Sequence, residues 1–227
     1  KAIYRIHRYF FDSNGAENLH LRFVAPVIAP LLQKEFSEIQ NITRVYYKDM
    51  VFSSGDQKMV ENKVCLAEPD VLKIFDFEGL PLDNNLLTAP FTVIISDDAA
   101  SKYFKERDVV GKNLEFKDEK GKKYALQITG VFKRWKGNSH FKPDFLISFS
   151  TSDSFFGKDE LKDWGSNNYE TFALIPNLPS DFDKRLDVFI DKYLENGSKW
   201  TKIRLERLTE IHFNWYGSRS YIYILTS

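Results

Sequence analysis

The segment FTVIISDDAASKYF (91–104) carries five β-prone residues, then Ser96, two aspartates and a helix-like run. A serine at a strand-to-helix turn is where some hydrolases hold a nucleophile, and that sharp turn needs small neighbours. Ser96 is flanked instead by Ile95 and Asp97. A serine oxygen also accepts a hydrogen bond from an orphan amide at a helix start, and Asp97 and Asp98 suit the positive end of the helix dipole. One cap accounts for all three residues, so Ser96 is predicted to begin a helix. Aspartate, another good cap, is expected to replace it with little loss.

Other chemistry is searched for with the same test. The histidines are His7, His20, His140 and His212, with no two at helical or hairpin ligand spacing, and Cys65 is the single cysteine. A zinc site would have to be assembled from distant parts of the chain, so the histidines read as exposed or packed and no metal is expected. Glycine patterns of the P-loop and dinucleotide type are absent, so no nucleotide and no other cofactor is expected. The acidic pairs Asp97–Asp98 and Asp118–Glu119 belong to a helix start and a turn, not to a glycosidase pair. No catalytic residue is assigned, and the chain reads as a non-enzyme.

Aromatic residues are abundant, with 20 Phe, 11 Tyr and 4 Trp, and most fall at core positions of predicted elements. Trp135 in RWKGNSH and Phe155–Phe156 in SDSFFGKD fall in predicted loops instead. Packing beneath a loop is their first reading, and contact with a partner the second. On the second reading, Trp135, Lys136, Phe155 and Phe156 are the candidate partner contacts.

The bulk numbers exclude several classes. With 43% hydrophobic and 28% charged residues among 227, the chain is globular and not disordered. Its 32 basic and 32 acidic side chains leave no electrostatic footprint for nucleic acid. Residues 85–145 hold 12 Lys/Arg against 8 Asp/Glu, which reads as a solvated lysine-rich surface. No stretch reaches the ~18–20 apolar residues of a membrane helix. One cysteine excludes an intrachain disulfide, and the opening on Lys1 reads as a piece of a longer protein.

The elements that must position these residues follow from periodicity. AIYRIHRYFF (2–11) alternates as a strand and runs into the turn residues 12–15. VIAPLLQKEFSEI (27–39) has helical spacing, ITRVYYKDMVF (42–52) reads as one strand, and 58–66 as a shorter one before a short helix at EPDVLKIF. After the segment holding Ser96 comes a hairpin with arms 112–117 and 122–132 about the turn DEKG. A strand at 145–149 and a loop at 150–168 follow. NYETFALI (168–175) leads into a helix from Ser180, where Ser180 and Asp183 suggest a capping box, and Asn196–Gly197 end it. The last strand is predicted over 200–213. Two β-α-β units thus flank a mostly β insertion, an α+β fold whose outer units complete one split βαβ sheet and whose insertion forms a second lobe.

The phrases FDFEGLPLDNNLLTAPFTVIISDDAASKYFKERDVVGKNLEF (75–116) and ITGVFKRWKGNSHFKPDFLISF (128–149), in that order, resemble the core of MacB-like periplasmic domains of FtsX-like ABC transporter permeases, in wording like those of Bacteroidetes. LTEIHF with GSRSYIYILTS (217–227) resembles the run into the second transmembrane helix of such permeases. The resemblance implies a porter-like lobe built from 1–84 and 146–213, an inserted sabre-like lobe at 85–145, and a run-in to a membrane helix at 214–227. It implies a place between the first two of four membrane helices, in the bacterial inner membrane and facing the periplasm. The implied partners are a cytoplasmic ATP-binding subunit or domain, a second permease in a membrane dimer, and a periplasmic adaptor. The implied work is mechanotransmission in export or efflux of antibiotics, peptides or lipoproteins, with no catalytic residue to carry over. The alternative reading is the ligand-binding ectodomain of a membrane sensor or receptor. If the chain is a loop between two membrane helices, its first and last strands should be antiparallel neighbours.

Overall fold

The computed structural model describes residues 1–55, 57–81, 84–104, 108–118, 121–135, 141–154 and 160–211. In chain order the elements are β1 (Ile3–Phe11), β2 (Glu17–Leu21), α1 (Ile28–Glu35), β3 (Asn41–Tyr47), β4 (Met50–Ser54), β5 (Gln57–Glu61), β6 (Val64–Ala67) and α2 (Val71–Ile74). They continue with β7 (Thr92–Ser96), α3 (Asp97–Tyr103), β8 (Asn113–Lys117), β9 (Lys123–Phe132), β10 (Phe145–Ser148), β11 (Glu170–Leu174), α4 (Phe182–Tyr193), α5 (Gly197–Trp200) and β12 (Thr201–Arg207). All the strands join one mixed sheet in the order β12-β1-β11-β3-β6-β10-β7-β9-β8-β4-β5, with β2 also on β1. A large mixed sheet with few helices is the α+β class the sequence predicts.

Why the sheet is mixed can be read from its middle. Every residue of β6, β7 and β10 is buried, as strands covered on both faces must be. These strands make the parallel pairings, β6 with β10 and β7 with β9. Their alternate side chains feed two cores. Val64, Leu66, Val93, Ile95, Phe145 and Ile147 enter one, while Cys65, Ala67, Ile94 and Leu146 enter the other. A third core lies where α1 and α4 cover the β1–β11–β12 end, with Ile6, Leu32, Ala173, Leu186, Ile190 and Ile203. On its rim, Glu35 of α1 accepts from Lys192 Nζ and from Tyr193 Oη of α4, at 2.7 Å each.

Several predicted boundaries shift. The run 42–52 breaks into β3 and β4 at Lys48–Asp49, and 58–66 breaks at Asn62–Lys63, so that β4 and β5 form a hairpin. That hairpin pairs with β8, Phe52 opposite Phe116. The cap of α4 is Asp181, with no side-chain hydrogen bond to the helix, so the Ser180–Asp183 box does not form. The helix ends earlier than expected, at Tyr193 with Leu194 extended, and Asn196, at φ 51°, and Gly197 open α5 instead; a Cβ on Gly197 would sit 2.7 Å from Leu194 Cβ. The last strand stops at Arg207 and antiparallels β1 from Tyr4–Arg207 to Phe10–Thr201, as expected for first and last strands.

Candidate functional site

Ser96 begins α3. Its Oγ accepts from the Ala99 amide at 3.1 Å, and Asp97 and Asp98 fill the first helical turn. The side chain is fully buried, and Oγ also donates to Asp144 Oδ1 at 3.1 Å. That second bond weighs against the expectation for aspartate, because a carboxylate there would face the Asp144 carboxylate, which is shared with Lys63 Nζ at 3.3 Å. Ser96→Ala should cost about 1–2 kcal/mol through the lost cap. Ser96→Asp should cost more than Ser96→Ala at pH 7. Denaturant midpoints measure both, and an aspartate variant as stable as the parent would contradict the buried contact.

Trp135 is half-buried. Its ring lies 4.9 Å from that of Phe77 and 6.2 Å from that of Phe141, and Nε1 donates to the Pro143 carbonyl at 3.2 Å. Packing beneath a loop is what these contacts describe. Lys136, Phe155 and Phe156 lie outside the described residues, as do His140, His212 and residues 214–227.

The densest polar constellation among the described residues was not singled out from the sequence. It grows on β1, whose alternation sends Ile6 into the helix-covered core and Arg5, His7 and Tyr9 to the opposite face. Arg5 is 4% exposed and lies between two carboxylates from distant strands. It donates from Nη1 to Glu170 Oε1 at 3.2 Å and from Nη2 to Glu206 Oε2 at 3.0 Å. Tyr47 Oη donates to the other oxygen of Glu170 at 2.7 Å. The guanidinium fork suits this role, since its donors diverge in one plane. Four strands, β1, β3, β11 and β12, are thereby joined through one cation.

His7 and His20 complete the cluster. The β1–β2 hairpin pairs Tyr9 with His20, whose rings stack at 4.0 Å, and sets His20 Nε2 2.6 Å from His7 Nδ1. The two histidines are thus at hairpin spacing after all, a correction that needed β2 to be recognised as a strand. His7 Nε2 lies 2.9 Å from Arg5 Nε and 2.7 Å from Glu206 Oε2. One nitrogen cannot accept from the first and donate to the second at once, so the tautomer chooses between them. Burial first, then the neighbouring Arg5 charge, push His7 down to about 3. Burial lowers His20 as well. Arg5 occupies the space between the carboxylates, and among the described residues no group of three His, Cys, Asp or Glu is arranged to hold a metal ion. The arrangement holds strands together electrostatically. It presents neither an activated nucleophile nor a base beside one.

No curated protein matches the chain by sequence. Its fold is shared by a domain of a permease protein from Porphyromonas gingivalis, at 22% identity and TM-score 0.72 over 91% of each chain. The periplasmic region of MacB from Actinobacillus actinomycetemcomitans is similar at 11% identity and TM-score 0.60, over 94% of this chain and 93% of that one. The extracellular domain of the ABC-type transporter YknZ from Gram-positive bacteria is similar at 15% identity and TM-score 0.55, over 88% and 99%. The MacB-like periplasmic core domain model matches residues 3–175, which is most of the sequence, and so the chain belongs to that family, the periplasmic domains of FtsX-like ABC transporter permeases.

Proposed function

We propose that this periplasmic domain works without chemistry of its own: it engages substrate or partner proteins and passes on motion driven by a separate cytoplasmic ATPase. The transported class is antibiotics, peptides or lipoproteins. The observation that carries the reading is the antiparallel pairing of β1 with β12, extended by the Leu208 amide donating to the Ile3 carbonyl at 2.9 Å. Two strands side by side give a stem whose foot can follow paired membrane helices, and Arg5 ties that stem to β11. Family membership favours the permease over a sensor ectodomain.

The mechanical parts in this reading are a porter-like lobe from 1–84 and 146–213 and a sabre-like lobe from 85–145. The helix-covered core draws only on the first of these, which supports the division. The β4–β8 and β7–β10 pairings and the other two cores cross it, so the lobes would share one continuous sheet. A permease dimer, an ATP-binding subunit and a periplasmic adaptor are the proposed partners, with Trp135, Lys136, Phe155 and Phe156 as proposed contacts.

A cysteine at Val60, which is 70% exposed, tests the placement in the full transporter. Within this domain background labelling should be low, because burial keeps Cys65 covered and pushes its thiol up. Val60→Cys should react with a membrane-impermeant maleimide once the outer membrane alone is opened. Labelling that required opening the inner membrane would overturn the periplasmic placement. ATP hydrolysis by the purified 227-residue chain would overturn the non-catalytic reading.

A further inference from the structure

β2 is a five-residue strand with Glu17 and Asn18 exposed and Leu19, His20 and Leu21 half-buried. Its pairing with β1 covers only Arg8 to Phe11, with a register shift at the end. Little apolar burial holds it, so the link from His20 to His7 and the stack of His20 on Tyr9 weigh heavily in its attachment.

The link has a proton limit set by its geometry. With the pair neutral, either His7 Nδ1–H donates to His20 Nε2 or His20 Nε2–H donates to His7 Nδ1. One added proton can be accommodated: His20 charged still donates from Nε2, and His7 donates its own Nε2–H to Glu206. A second proton puts N–H groups on both facing nitrogens, 2.6 Å apart, and no hydrogen bond survives.

We propose that the His7–His20 pair is an acid-sensitive latch that holds β2 on β1 and releases it when both rings are protonated. The charged and titratable groups facing the pair come from every neighbouring strand. Arg5 on β1 opposes a charge on His7, and so does His20 on β2. Glu206 on β12 favours a charge on either ring, and Glu17 on β2 favours one on His20. Glu170 on β11 is already committed to Arg5 and to Tyr47 of β3. Arg204, cross-strand partner of His7, is turned away to Asp187 of α4.

The sign follows from the protons bound. The latched form resists its second proton because His7 is buried against Arg5, with a value of about 3. On release His20 takes a proton near the ordinary ~6.5. His7 loses part of the burial that lowers it most, so it takes one more readily than when latched, although Arg5 stays beside it. The released form therefore binds more protons between these limits, and acid favours it by about tenfold per pH unit. Above about 6.5 the latch is indifferent to pH.

Hydrogen exchange on the 227-residue chain reads the latch directly. Between pH 6.5 and 4.5, protection of the β2 amides, corrected for intrinsic exchange, should fall about tenfold per unit while β7 and β9 keep theirs. His20→Gln should lessen that fall, because an amide carbonyl can accept from a charged His7, while burial and Arg5 still oppose the charge. Constant β2 protection, an undiminished fall in His20→Gln, or a parallel loss in β7 and β9 would each overturn the proposal. Imidazole proton shifts of the unsubstituted chain give a second reading that needs no variant. His7 titrating near 6.5 with β2 still protected would also overturn it.

Discussion

Arg5→Met is expected to cost about 3–5 kcal/mol at pH 7, since removing one partner of a buried ionic group strands the others. The side chain is nearly isosteric along its stem, so the loss is electrostatic and not a cavity. Glu170, 6% exposed, keeps Tyr47 as a donor, and Glu206 keeps His7. The deficit should shrink as pH falls. His7, freed of the Arg5 charge that lowers it, can more readily take a proton and stand in beside Glu206. That proton binds to the folded variant, so its stability relative to the parent rises toward acid. Arg5→Lys should lose less, because the charge stays while the divergent fork goes. Urea unfolding at pH 7 and 5 measures all of this. An Arg5→Met protein within about 1 kcal/mol of the parent at pH 7 would show that the carboxylates are solvated and the cluster is ornamental.

Phe145→Ala is expected to cost a similar 3–5 kcal/mol by a different route. Phe145 is fully buried at the start of β10, paired to Val64 on one side and Ile95 on the other. Its ring centroid lies 4.9 Å from that of Phe52 on β4 and 6.0 Å from that of Tyr103 on α3. Tyr103 is itself held, donating to Glu61 of β5 at 2.6 Å. With its neighbours fixed on separate elements, the vacated space cannot collapse, and the penalty should lie toward the upper end. Phe145→Leu, which fills most of the space, should lose less than half as much. The denaturant midpoint should move with an unchanged slope. A loss below about 1 kcal/mol would mean that the aromatic cluster relaxes around the gap.

Legibility in the sequence tracks how local each feature is. The cap at Ser96 and the β8–β9 hairpin around Gly121 are decided within a few residues, and each is where the sequence places it. The family could be read from phrases that keep their order along the chain. Breaks inside 42–52 and 58–66 were hidden because the apolar alternation continues across Lys48–Asp49 and Asn62–Lys63. β2 was missed because ENLHL carries little β-branched or aromatic character and depends on β1 to exist. The charge cluster was the least visible. Its members are 165 and 201 positions apart from Arg5, and nothing local to an arginine in an alternating strand tells which carboxylates will meet it. Asp144 beside Ser96, 48 positions away, is hidden for the same reason.

The position of β1 between β11 and β12 carries a consequence for biogenesis. Within this domain β1 is made first and must wait for β11 and β12 before either of its edges is filled along its length. At 5–20 residues per second, the ~200 intervening residues take about 10–40 s to synthesise. Through that interval an alternating, aromatic-rich segment is an open template for wrong pairing. Parallel pairings in the middle of the sheet add further non-local closures that slow the search. A holding chaperone would therefore have most to gain by binding IYRIHRYFF, and its release would be timed by the arrival of Thr201–Arg207.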